Sequence, residues 1–202
     1  MAHLKFFVAI ATLLLYGQAM AEDPVKPVRI RGEIVSMTGD VLTVHRRGAD
    51  TVAVTVKPDL AIGALKYISL EDIKPGAFIG TAATTGANGQ LTALEVLVFP
   101  EAARGTGEGH YDWDLGPTTS MTNANVDAIV NSTNGRELKL SYKGGNNAVT
   151  VPVNVPIVTF IGASRADLVV GKQVFIVAAP VTASEFSALR VVVEKDGVVP
   201  PM

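Results

Sequence analysis

The sequence predicts an all-β protein made of two tandem, small OB-like β-barrels, each of about six short strands with one helical turn. Three observations predict it. A block of the chain recurs at an offset of 95 residues, as when Ala53-Val54-Thr55-Val56 returns as Ala148-Val149-Thr150-Val151. Apolar and polar residues alternate with period two between turn residues. Valine is the dominant hydrophobe in a composition with 19 Gly and 11 Pro, which leans towards strands and turns.

The repeat holds one register over most of its length. Ile34-Val35 matches Ile129-Val130, and Ile62 matches Ile157. Ser69, Asp72 and Gly76 return as Ser164, Asp167 and Gly171, and Ala93-Leu94, Val96 and Val98 as Ala188-Leu189, Val191 and Val193. One inserted residue near Asn134-Gly135 and one deletion near Asn146 are the adjustments this needs. The expected division is a signal peptide over 1–21, a first barrel over 22–99, a connector over 100–122 and a second barrel over 123–202.

Within the first copy, Val28, Ile30, Gly32 and Ile34 alternate with Arg29, Arg31 and Glu33, the pattern of a half-buried strand. Thr38-Gly39-Asp40 turns the chain into Val41 to His45, and Gly48-Ala49-Asp50 turns it into Thr51 to Val56. Ala64 to Ile68 is a fourth run. Ser69 can cap a helical turn while Asp72, three residues on, reaches back; Pro75-Gly76 ends it. Phe78 to Ala83 and Leu91 to Phe99 form a hairpin over Gly86-Ala87-Asn88-Gly89. The second copy repeats the plan. A closed barrel removes exposed strand edges; a pair of small sandwiches is the alternative, because strand number does not fix closure.

The N-terminus suggests a compartment. Lys5 precedes an apolar run from Phe6 to Tyr16, broken only by Thr12, and Ala19-Met20-Ala21 supplies a small-x-small cleavage pattern. This is the order of a secretory signal peptide, and the run is shorter than the roughly 20 residues a membrane helix requires. The expectation is a chain in the periplasm, or secreted, with no membrane insertion after cleavage. The absence of cysteine excludes disulfides, thiolate metal sites and thiol catalysis. A net charge of −2 offers no field for nucleic acid or an anionic membrane. Arg29, Arg31, Arg46, Arg47 and Lys57 near His45 lack the interleaved aromatics of a single-strand reader, and are expected to form a solvated face.

The connector carries the chemistry-bearing residues. It holds Gly105, Gly107, Gly109, His110, Tyr111 and the chain's single tryptophan, Trp113. Long loops of this kind are functional or disordered, and its aromatics require burial or a partner. An ordered segment packed on both barrels is expected, with Arg104, Tyr111, Trp113 and Met121 as candidate ligand or interdomain contacts. Glu108, His110, Asp112 and Asp114 fall at every second position, a donor set for a possible divalent metal. A straight strand holds alternate side chains about 6.6 Å apart, so the glycines would have to bend the segment around an ion. Copper or zinc would want more nitrogen, and a calcium loop lacks its closing acid, Asn123 standing there.

Signatures of a serine hydrolase elbow, zinc protease helix, phosphate loop or dinucleotide fold are missing. Glu108 with Asp112 is the one pair that could cut a glycosidic bond, and nothing in the sequence builds a sugar cleft around it. The expected protein is a non-catalytic module without a resident cofactor, its partner an unknown periplasmic protein or small ligand. The alternative is a divalent-metal-binding protein using residues 108–114.

The run Arg104-Gly105-Thr106-Gly107-Glu108-Gly109-His110, with Trp113-Asp114-Leu115, Met121-Thr122-Asn123 and the tail Asp196-Gly197-Val198-Val199-Pro200-Pro201-Met202, resembles a group of exported proteobacterial proteins of unknown function. The resemblance covers essentially the whole mature chain and implies tandem β-barrels and export. Some members carry a label as metal transporter permeases, which demands several membrane helices that this sequence lacks after its leader. No catalytic residue comes with the resemblance.

Overall fold

Strand and turn signals translate directly into backbone. The computed structural model describes residues 26–48, 50–132 and 135–201. The proposed signal peptide lies outside them. Among the described residues β1 (Val28–Thr38), β2 (Val41–Arg46), β3 (Thr51–Thr55), β4 (Ile62–Tyr67), β5 (Phe78–Thr85), β6 (Leu91–Ala93) and β7 (Val96–Val98) come from the first copy. The connector contributes β8 (Gly109–Asp112). β9 (Thr119–Ser132), β10 (Gly135–Tyr142), β11 (Gly145–Val151), β12 (Ile157–Ala163), β13 (Gln173–Pro180) and β14 (Glu185–Val193) complete the chain. The protein is all-β, as expected. No described helix is long and apolar enough to cross a membrane.

Local signals hold at their positions. The Ser69 amide donates to Asp72 at 2.9 Å and the Ser164 amide to Asp167 at 2.7 Å, so both capping boxes close over single 3-10 turns. Gly39 and Gly89 take positive φ at the two turns that called for it.

The long-range pairing differs from the expectation of one barrel per copy. β1, β2 and β3 pair in sequence, but the strands that close their barrel are β14, parallel to β3, and β13, antiparallel to β1. Reciprocally, β9, β10 and β11 close with β6 and β5. Each barrel therefore takes three strands from one half of the chain and its closing strands from the other. The strand order is consistent with an OB-like plan in both. β4 carries the exchange: Ile62 packs in the first barrel, and Ile68, Leu70 and Ile73 pack in the second. β12 makes the return crossing, from Ile157 in the second barrel to Ala163 and Leu168 in the first. The crossing strands pair antiparallel with Leu65 opposite Phe160, two positions that correspond in the repeat, so a pseudo-two-fold axis passes between them.

The first strand corrects the repeat alignment. Ile34 bonds through its amide to the Lys172 carbonyl and through its carbonyl to the Gly171 amide. Val126, not Ile129, makes the matching pair with Ala77 and Gly76. The Ile34-Val35 match to Ile129-Val130 is thus an identity without structural equivalence. β9 is the longer strand and carries a bulge between its partners Lys139 and Leu140. The last hairpin also differs: β14 is continuous, whereas its counterpart breaks at Leu94-Glu95, β6 pairing with β11 and β7 with β12.

Three apolar cores result. Ile30, Ile34, Leu42, Val44, Val54 and Ile176 fill the first barrel. Ile79, Val96, Val126, Leu138, Leu140 and Val149 fill the second. The third lies between the barrels, where Leu65, Phe78, Leu97, Phe99, Trp113, Met121, Phe175 and Val192 bury the facing outer sheet surfaces.

Candidate functional site

The seam between the barrels is assembled from strand rows. On the first barrel, register places Arg29 opposite Val177 and Val177 opposite Arg190, one row across β1, β13 and β14. The next row is Arg31, Phe175 and Val192. On the second barrel the facing rows are Leu97–Gly80–Asn123 and Ala82–Met121–Tyr111. Period-two alternation turns all of these side chains outward, away from their own barrel interiors.

Between these walls lies a cleft of about 320 Å³, lined among others by Arg29, Phe99, Tyr111, Trp113, Met121, Asn123, Val177 and Arg190. Its size is at the small end for ligand pockets. Gly80 forms part of the wall, and a Cβ there would stand 2.6 Å from Asn123 Oδ1 and 3.1 Å from the Phe99 ring. Glycine here makes room for the Asn123 side chain.

The connector closes one end. The Trp113 amide donates to the Thr119 carbonyl at 2.9 Å, and the Thr119 hydroxyl donates to the Trp113 carbonyl at 2.8 Å. The indole then lies beneath Arg29, whose Cζ is 3.8 Å from the ring centroid, a cation–π stack. Tyr111 packs obliquely on Trp113 with centroids 6.2 Å apart. Burial raises the Tyr111 phenol above its ordinary range, against the pull of Arg29. Asn123 Nδ2 donates to the Thr106 carbonyl at 3.0 Å and to the Tyr111 oxygen at 3.3 Å.

Polar atoms without partners concentrate here. Asn123 is 7% exposed and Trp113 9%, yet Asn123 Oδ1 and Trp113 Nε1 have no hydrogen-bond partner. Leaving such groups unpaired costs about 1–3 kcal/mol each. Arg31 Nε and both Glu95 carboxylate oxygens are also buried and unpartnered at this seam. Burial pushes the Glu95 carboxyl up to about 8, with Arg31 opposing the rise. The guanidinium ends of Arg31 hold Asp114 bidentately at 2.8 and 3.0 Å. Burial raises the Asp114 pKa, but the Arg31 hydrogen bonds and the charges of Arg31 and Arg29 outweigh it, leaving it lowered.

Of the candidate contacts read from sequence, Tyr111, Trp113 and Met121 line the cleft. Arg104 does not: it chelates Glu101 and bonds Asn125 Oδ1 at 2.5 Å and the Gly76 carbonyl at 2.8 Å, tying the connector to the second barrel. The 108–114 donor set is taken apart. Glu108 accepts from the Lys143 amide at 2.9 Å, His110 Nδ1 lies 2.8 Å from the Thr122 hydroxyl, and Asp114 belongs to Arg31. No group of three His, Cys, Asp or Glu side chains meets among the described residues. His110, Asp112 and Ser120 border a separate hollow of about 540 Å³ without a hydrogen bond among them.

The expected solvated basic face also divides. Arg46 pairs with Asp50, while Arg29 and Arg31 turn into the seam. Sequence reasoning missed Asn123, Arg190 and Arg29 as cleft residues. Their alternation in β9, β14 and β1 marked an outward face; the exchanged pairing is what covers it.

A scan against protein-family models and searches of curated proteins and of solved structures match nothing to this chain.

Proposed function

We propose that this is a non-catalytic binding module, exported to the periplasm, that holds a small ligand in the cleft between its two barrels. One observation carries the reading: a cleft of about 320 Å³ opens between the barrels, with Leu97, Phe99, Met121 and Phe175 as an apolar lining and Arg29, Arg190 and Asn123 as polar groups beside it. The connector is the natural gate, since it supplies Thr106, Gly107, Tyr111 and Trp113 to the lining. Nothing in the cleft resembles a nucleophile paired with a base, which favours binding over catalysis.

The single tryptophan makes the test direct. Its indole N–H gives one amide-type signal in a nitrogen-15 correlation spectrum. Small aromatic and aliphatic compounds that occupy the cleft are expected to move that signal, and Val177→Phe, which fills the cleft, is expected to abolish the movement. A broad compound set that never moves the Trp113 signal removes the proposal.

A further inference from the structure

We infer that the cleft selects a small carboxylate with an apolar body, the carboxylate lying between Arg29 and Arg190. This rests on the binding reading above and specifies its ligand class.

Charge distribution is the first argument. The chain is net negative, with a formal charge of −2. The cleft reverses that sign: its lining contains Arg29 and Arg190 and no Asp or Glu. Arg190 makes no ion pair and no side-chain hydrogen bond among the described residues, and neighbouring Arg29 reaches Asp114 only at 3.9 Å. Asp114 is already committed to Arg31 through two shorter bonds. Burial raises the pKa of the nearby Glu95 carboxyl to about 8, which disfavours its charged form. A guanidinium beside an apolar, poorly hydrated wall is a strong site for a carboxylate, which it can meet with two parallel N–H donors.

Geometry is the second. Arg29 and Arg190 flank Val177 in one row, so their Cα atoms stand two strand spacings apart, about 10 Å. Arg29 lies over Trp113 and Arg190 is exposed without a partner among the described residues, so both guanidinium groups border the cleft on either side of Val177. The rest of the cleft is built for a ring or short alkyl body, with Leu97, Phe99, Met121 and Phe175 around it. Arg190 and Phe99 also border an adjoining apolar hollow of about 270 Å³ that includes Phe160 and Val192, leaving room for a longer body. The lining fixes the orientation: carboxylate towards the arginines and body towards Leu97, Phe99 and Met121.

The experiment compares 3-phenylpropionate, 3-phenylpropan-1-ol and 3-phenylpropylamine on the full protein, read by Trp113 emission and its indole N–H signal. The acid is expected to bind at least 10-fold tighter than the alcohol or amine. Arg190→Gln is expected to remove most of the acid's preference over the alcohol. Raised salt should weaken the acid alone. Equal binding of the three, or an acid preference that survives Arg190→Gln, overturns the carboxylate assignment while the cleft stands as a binding site. If none of the three perturbs Trp113, the carboxylate inference falls, and the broader compound set decides the cleft.

Discussion

Inside the first barrel Ile34, Leu42, Val44 and Val54 pack with no buried polar side chain among the described residues, and inside the second Leu138, Leu140 and Val149 share the interior with Thr81 and Thr122, whose hydroxyls are hydrogen-bonded. Along the seam, equally apolar Leu97, Phe99 and Phe175 share their burial with Arg31, Glu95 and Asn123. Among the described residues, five of the six buried side-chain atoms without partners lie on Arg31, Glu95, Trp113 and Asn123, and the sixth is Ser120 Oγ. A barrel interior is free to be wholly apolar because its backbone bonds are made within its own strands. The seam carries the unmade polar interactions, and that separates the part of the molecule that holds it together from the part equipped to bind.

The largest expected effect breaks the barrels. Leu42→Ala and Leu138→Ala each remove a fully buried side chain and should cost about 2–5 kcal/mol. Because β13 and β14 close one barrel while β5 and β6 close the other, both variants should lower one shared unfolding transition in calorimetry. Two separate transitions would contradict the coupling.

The seam should instead respond to pH. Glu95 rises from an ordinary 4.5 to about 8 in the folded chain, so between those values the native state keeps a proton the unfolded chain has released. Stability should therefore fall as pH rises through that window, by at most about 1.4 kcal/mol per unit, and level off above it. Glu95→Gln should flatten the decline in denaturant titrations; an unchanged slope would place the titration elsewhere.

Gly80→Ala is expected to cost less, about 1–3 kcal/mol, by forcing its methyl against Asn123 and Phe99. It should also reduce ligand-induced change at Trp113. Smallest of all is Asp112→Asn. Asp112 is exposed and makes no side-chain bond among the described residues, so melting temperature should stay put, within about 0.5 kcal/mol, with or without zinc or calcium.

Strand positions, turns and capping boxes were legible because they depend on local chemistry: alternation in Val28 to Ile34, glycine at Gly39 and Gly89, Ser69 facing Asp72. Barrel closure was not. β5 and β13 stand at corresponding places in the two halves of the sequence, so either could offer its edge to β1, and alternation alone cannot choose between them. The choice depends on β4 and β12 running across the seam and pairing with each other. The site was half legible for the same reason. Tyr111 and Trp113 stood out as aromatics in a glycine-rich segment, while Arg29, Asn123 and Arg190 become cleft residues only once the exchanged strands bring two outer faces together. Glu95 left a trace, a lone acid inside Ala93-Leu94-Glu95-Val96-Leu97.

The exchange of closing strands can be tested by one crosslink in a chain that has no cysteine of its own. Glu33 pairs with Gln173 across β1 and β13, and the neighbouring bonds make it a non-hydrogen-bonded pair with Cα atoms about 4.5 Å apart, within disulfide reach. Glu33→Cys with Gln173→Cys should oxidise within one molecule, giving a monomer of faster mobility on a non-reducing gel and a raised melting temperature. If that pair stays reduced while Glu33→Cys with Phe78→Cys crosslinks, each repeat closes its own barrel and the exchanged architecture is wrong.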